Sequence, residues 1–243
     1  MGKPRVPLDP VADLKRRLAR YRGAPIAKVR SCVRGWWTDH DFDKCPASIG
    51  KRIAIAMIEQ RMIEDKLAGI SILQDLLGDQ LRVTDLSSFA QLFEDGHLSD
   101  AVVVDWFTSK VLVTLLDRSA GRTDVAKQLA AWRNAETIWQ RRAGCLAFVK
   151  LAPDGDATMP GFVELVLVIC ATVVWSHERF DQTAVGWLLR ELSRGNPSRV
   201  ETFFRRYARL MSKECARHAV SKLTVTQRAA LLAHHKRATS VRR

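Results

Sequence analysis

The sequence predicts an all-α fold. Apolar residues recur with the 3.6-residue period of a helix along most of the 243 residues, and no segment keeps the strict alternation of a strand. Short breaks separate the helical segments, and helix pairs recur about every 35 to 45 residues. This organisation predicts stacked helical hairpins of the HEAT kind, an α-solenoid with a concave face lined by Arg and Lys. A compact all-α bundle is the alternative.

Capping signals mark where several predicted helices begin. Asp9 followed by Pro10 is typical of an N-cap and first helical position. Asn196 with Pro197, and then Ser212, repeat such signals near the other end of the chain. The predicted helices are 9–22, 26–38, 47–62, 64–78, 84–94, 98–117, 122–133, 136–151, 160–174, 177–194, 197–210, 212–222 and 225–236.

The charge balance favours an anionic partner. Lys and Arg number 39 against 26 Asp and Glu, which gives a net charge of +13 and a pI near 10.0. Such an excess attracts polyanions, and nucleic acid is the first candidate. An anionic membrane surface is the second, and solubility alone is the third interpretation.

Cysteine usage and the distribution of apolar residues predict a soluble cytoplasmic protein. The five cysteines are odd in number and include no CxxC pair, as expected of buried thiols in a reducing compartment. The opening residues lack the apolar core of a signal peptide. The most apolar run, residues 162–175, is too short for a bilayer and contains Glu164. We expect a single domain over residues 1–243, with disordered tails at 1–8 and 237–243.

Three predicted helical segments combine aromatic and charged residues. Asp105 stands among apolar residues, Trp139 and Arg142 lie one turn apart, and Trp187 and Arg190 repeat that spacing. Each segment also has an ordinary structural interpretation, in which the aspartate pairs with an arginine of a neighbouring helix, the tryptophans pack and the arginines are solvated.

A glycine lies in the middle of the third segment. Gly186 costs the helix about 1 kcal/mol relative to alanine. We expect a glycine there because a neighbouring helix, or a nucleic-acid backbone, approaches closely.

These segments resemble a known family. "DWFTSKVL" (105–112), "IWQRRAGCLAF" (138–148) and above all "QTAVGWLLRELSRGNPSRVETF" (182–203) are similar to bacterial DNA alkylation repair glycosylases of the AlkC/AlkD type, in the AlkD-like branch with HEAT-like repeats. The likeness extends from about residue 15 to residue 225.

The resemblance implies a reaction, the hydrolysis of the N-glycosidic bond of cationic N3- and N7-alkylpurines in duplex DNA without base flipping. It places Asp105 where a carboxylate stabilises the oxocarbenium-like sugar and orients water. It assigns Arg142 to grip phosphate or to hold the carboxylate, and Trp187 to pack against the sugar-phosphate backbone or the lesion.

The resemblance also implies the partners of the protein. DNA-binding side chains are expected from the three segments, namely Arg190, Lys110, Trp106, Arg141 and Arg194. The implied partner is double-stranded DNA carrying alkylated purines, bound by a monomer. No metal or organic cofactor is implied, since water is the only co-substrate, and no membrane is involved.

One position departs from the family pattern. Ala101 stands one turn before Asp105, where relatives often have a second tryptophan. This departure motivates an alternative function, a non-catalytic protein of the same fold that binds DNA structures. A helical-repeat scaffold for protein interactions is the third hypothesis, for which the basic face would be incidental.

Overall fold

The computed structural model describes residues 6–240, and these fold into α-helices with short 3₁₀ and π segments and no β-strand. The all-α prediction is confirmed, and the succession of helices with short connections is consistent with a helical-repeat protein. Within the described residues, no helix is both long and apolar enough to cross a membrane. The helices are α1 Pro10–Leu18, α2 Ile26–Asp39, α3 Ala47–Ile58, α4 Ile63–Ser71, α5 Leu86–Glu94, α6 Ala101–Phe107, α7 Val113–Arg118, α8 Arg122–Ala131, α9 Ile138–Leu146, α10 Phe162–Val173, α11 Arg179–Leu192, α12 Pro197–Tyr207, α13 Lys213–Ala219 and α14 Val225–Ser240.

The predicted caps largely hold. The carboxylate of Asp9 accepts a hydrogen bond from the Ala12 N–H (3.0 Å) at the start of α1, and the Ser212 hydroxyl accepts one from the Cys215 N–H (3.0 Å) at the start of α13. Asn196 occupies the N-cap position of α12, but its side chain makes no capping hydrogen bond. Pro197 is the first residue of that helix, as its missing N–H and fixed φ favour.

Two helices continue into π segments, which the helical periodicity did not reveal. Ile72–Leu76 extends α4, and Thr108–Leu112 joins α6 to α7 within the predicted range 98–117. Helix α6 begins at residue 101 and not at 98, because the Asp100 carboxylate caps it by accepting hydrogen bonds from the Val102 and Val103 N–H groups.

The chain forms two compact units, Met1–Arg118 and Ser119–Arg243. The single domain over 1–243 stays a prediction. Of the two expected tails, residues 1–5 and 241–243 lie outside the described residues. The expected disorder from residue 237 is wrong as far as Ser240, because α14 continues to that residue.

The core of the first unit is built around α4. This helix packs against α2, α3 and α6. At its start the buried Glu64 carboxylate accepts hydrogen bonds from the Gly23 N–H (2.7 Å) and the Arg22 guanidinium (3.1 Å). The Gly23 N–H, with further help from Arg22, lowers the pKa of Glu64 below its ordinary value of 4.5, so this buried acid is held in its charged form.

In the second unit, α11 packs between α9 and α13. Ten of its fourteen residues are buried, so its side chains are held on most sides. Gly186 lies where α11 meets α13: a Cβ atom added there would stand 2.8 Å from the Cys215 carbonyl oxygen and 2.9 Å from the His218 Cβ. The glycine therefore permits the close approach of a neighbouring helix, which was one of the two expectations for this position.

Candidate functional site

A buried arginine joins α9 to α11. The Arg142 side chain is only 2% exposed, and its guanidinium donates hydrogen bonds to the Phe180 carbonyl oxygen and to the Thr183 hydroxyl, both at 3.1 Å. Both acceptors lie at the start of α11, three residues apart. The orientation of the guanidinium is thus determined by two fixed acceptors of the neighbouring helix.

The same guanidinium lies against two aromatic rings of α11. Its Cζ atom is 4.9 Å from the ring centre of Trp187 and 5.5 Å from that of Phe180. The two aromatic residues are seven positions apart, which places them two turns apart on one helical face. Each desolvated contact of this kind is worth about 1 to 2 kcal/mol. Arg142 therefore holds both rings in place.

Trp187 combines partial exposure with a constrained ring. Besides the Arg142 contact, the His218 ring of α13 meets the indole edge to face, with centres 6.0 Å apart and planes at 89°. The indole N–H is buried and has no hydrogen-bond acceptor among the described residues. An unsatisfied buried donor costs about 1 to 3 kcal/mol. The ring is thus a preoriented, partly accessible aromatic surface.

Asp105 belongs to the first unit. It lies on α6, is partly exposed and follows Ala101 by one turn. The π segment Thr108–Leu112 begins three residues later, and such segments often occur at functional sites. The structure brings Arg142 and Trp187 together; that Asp105 acts with them stays a prediction.

The predicted DNA-binding residues of α6 and the following segment stand close to one another. The Lys110 ammonium lies 5.8 Å from the centre of the Trp106 ring. The indole N–H of Trp106 is buried and, like that of Trp187, has no acceptor within residues 6–240. Both residues remain predicted DNA contacts.

The predicted DNA-binding arginines of the second unit already have carboxylate partners. Arg190 and Arg194 donate to the two oxygens of Glu191, at 2.7 Å and 3.2 Å. Arg141 donates twice to the fully buried Asp181, at 2.7 Å and 2.9 Å, and also to two backbone carbonyls at 2.7 Å and 2.8 Å. The geometry gives Arg141 a structural role in joining α9 to α11, and its DNA contact stays a prediction.

Sequence reasoning missed three members of this site. Phe180 could have been found from its spacing to Trp187 on one helical face. Thr183 and His218 carry no such signal, because their roles depend on which helices pack together.

The surroundings of the site contain neutral thiols. Burial raises the pKa of Cys215 to about 12, and burial raises that of Cys145 still further. Neither sulfur is therefore a thiolate at neutral pH, and neither is an activated nucleophile. Among residues 6–240, no group of three or more His, Cys, Asp or Glu side chains is arranged to hold a metal ion.

Comparison with known families gives one match. The family described as DNA alkylation repair enzyme matches residues 14–223, which include α6, α9, α11 and α13. No curated protein matches the chain.

Proposed function

The chain belongs to the DNA alkylation repair enzyme family, and we propose that it is a DNA glycosylase that hydrolyses the N-glycosidic bond of cationic N3- and N7-alkylpurines in duplex DNA. The observation that carries this proposal is the Arg142–Trp187 pair. A partly exposed aromatic ring, fixed by a buried cation, is suited to pack against a deoxyribose or a lesion.

The chemistry asks for stabilisation of positive charge on the sugar. In an N3- or N7-alkylpurine the base already carries a positive charge, so the bonding electrons leave with the base and neutralise it. The sugar becomes an oxocarbenium-like cation, and water then forms the new bond to C1′. In the proposal Asp105 faces this cation, stabilises it and accepts the proton of the attacking water. The products are the free alkylpurine and an abasic site.

Arg142 takes a positioning role in this proposal. Its charge is directed at two aromatic faces and two oxygen acceptors, and its side chain is almost fully buried. Such a group is poorly placed to grip a phosphate. It is well placed to hold the Trp187 ring, which leaves Trp187 and Asp105 as the residues that contact the substrate.

The proposal includes excision without base flipping, because the roles of Arg142 and Trp187 do not require the damaged base to enter an enclosed pocket. It also includes a monomeric enzyme in the cytoplasm. The free thiols of the described chain fit a reducing compartment.

Ala101 favours a second candidate, a protein of the same fold that binds DNA structures without excising bases. The residue begins α6 and offers only a methyl group where a second aromatic wall is expected. In that case the Trp187 ring would be the one aromatic wall left of the two that are expected in the cleft.

Release of the base distinguishes the two candidates. Duplex DNA containing N7-methylguanine is incubated with the protein, and the free base and the abasic site are both quantified. We expect release by the wild-type protein and a loss of at least about 100-fold with Asp105→Asn. The matched control is Asp95→Asn, a carboxylate of the same unit on an exposed position, which should leave the rate unchanged.

Two outcomes contradict the glycosylase, and a third contradicts only the role of Asp105. Tight binding of the duplex without release supports the structure-binding candidate. If the protein neither binds the duplex nor releases the base, the result supports the interaction scaffold. Release that persists in Asp105→Asn refutes the role of that carboxylate.

A further inference from the structure

The positive charge is concentrated in the last 45 residues of the sequence. Residues 199–243 contain twelve Lys and Arg against two Asp and Glu, a net charge of +10 out of +13 for the whole protein. Residues 119–198 contribute only +1, and residues 1–118 contribute +2. This last part of the chain therefore carries most of the net positive charge that attracts a polyanion.

Few of these cations are neutralised. In residues 199–240, Arg199 pairs with Glu164 and Arg205 with Glu201. The other eight have no carboxylate within ion-pair distance among the described residues. These are Arg206, Arg209, Lys213, Arg217, Lys222, Arg228, Lys236 and Arg237. By contrast, Arg190 on α11 and Arg194 just after that helix are both paired with Glu191.

The helix α14 lies beyond the part of the chain that the family covers. The match ends at residue 223, and α14 spans Val225–Ser240. Its fully buried Leu231 and nearly buried His235 fix it to the rest of the unit. The His235 imidazole is 3.0 Å from the Met211 carbonyl oxygen, and the His234 imidazole is 3.2 Å from that of Arg205 on α12. The helix is therefore docked and not a free tail.

The exposed side of α14 suits a phosphate backbone better than a bilayer. Lys236 and Arg237 are exposed there, together with alanine, threonine and serine. Val225, at the first position, is its one large apolar side chain that is strongly exposed. A helix that lies on a membrane needs a broad apolar face of large side chains, which α14 lacks within the described residues.

We infer that α12, the turn that follows it and α14 form a basic anchor, defined by Arg206, Arg209, Arg228, Lys236 and Arg237, that binds the phosphates of duplex DNA outside the lesion site. The choice of DNA as the polyanion rests on the proposed function. The anchor contributes affinity for any duplex and no recognition of the damaged base, because phosphate contacts position a protein without reading the base.

The test measures binding to an undamaged duplex, and so does not need excision. Fluorescence anisotropy gives the affinity of a labelled duplex over a salt series from about 50 to 200 mM. Each phosphate contact contributes about 0.9 to the slope of log affinity against log salt. The triple variant Arg228→Gln, Lys236→Gln, Arg237→Gln should therefore have a slope shallower by about 2 to 3, with affinity at least about 10-fold weaker.

A second triple variant removes the same formal charge from the first unit. Lys28→Gln, Arg52→Gln, Arg61→Gln changes three exposed residues there. Its slope should match that of the wild-type protein. Far-UV circular dichroism confirms that both variants remain folded, as expected of exposed and partly exposed positions.

Several results overturn the inference. Equal salt slopes for the two triple variants would show that the positive charge acts through the net charge of the protein and not through phosphate contacts of the anchor. Tighter binding to phosphatidylserine vesicles or to single-stranded RNA than to the duplex would assign the anchor to another polyanion. Failure of the proposed function appears separately: in that case damaged bases are not released, while the slope still falls in the α14 variant.

Discussion

Gly186→Ala tests the contact that places α13 beside the candidate site. The added methyl group would stand 2.8 Å from the Cys215 carbonyl oxygen and 2.9 Å from the His218 Cβ, and the first of these atoms is backbone. The helices must separate slightly, and overpacking of this kind costs about 1 to 3 kcal/mol. Alanine also returns about 1 kcal/mol of helix propensity. We expect a net loss of up to about 2 kcal/mol.

Gly35→Ala is the matched control for that substitution. Gly35 lies within α2, and a Cβ atom added there meets nothing within 4 Å. It should stabilise the protein by about 1 kcal/mol, because only the propensity term applies. Urea unfolding followed by circular dichroism measures both variants, and the difference between them isolates the overpacking cost. Equal stabilisation by the two alanines would refute the close approach of α13 to α11.

Two further predictions concern ionisable groups. Glu64→Gln should destabilise the protein by about 1 to 3 kcal/mol at neutral pH, since the Gly23 N–H and Arg22 favour the charged carboxylate. Because the pKa of Glu64 is lowered in the folded state, this loss of stability should shrink as pH falls below 4.5 and through the folded pKa. Urea unfolding of the wild-type protein and the variant measures it, and a stability difference between them that does not change with pH would contradict the prediction. Ellman's reagent at neutral pH should react first with the two partly exposed thiols, and with the three buried thiols only after unfolding. Reaction of all five thiols in a single phase would refute the burial of those three. The partly exposed thiols are Cys32 and Cys45, and the buried thiols are Cys145, Cys170 and Cys215.

Helix positions could be predicted well because their signals are local. Every predicted range overlaps an observed helix, and the caps at Asp9 and Ser212 need only neighbouring N–H groups. The π segment after α6 leaves no mark in the apolar period. The length of α14 was underestimated because its last turns are polar, and what holds the helix is the docking of Leu231 and His235 on distant residues.

The candidate site could be predicted only in part. The resemblance pointed to Arg142 and Trp187, and their contact supports a shared role. His218 and Thr183 depend on the packing of α11 against its neighbours, which no local spacing encodes. The cations predicted to bind DNA lie in the motifs, whereas the eight Lys and Arg residues without a carboxylate partner that are described above lie between residues 206 and 237.

A double-variant cycle tests most directly whether the carboxylate and the aromatic ring serve one reaction. Single-turnover excision of N7-methylguanine is measured at saturating protein for Asp105→Asn, for Trp187→Phe and for both together. If the two side chains act on the same sugar, the double variant should be about as slow as the slower single variant, because residues that work as a unit are not additive. Rate losses that multiply in the double variant, or a wild-type protein that releases no base, would contradict this account.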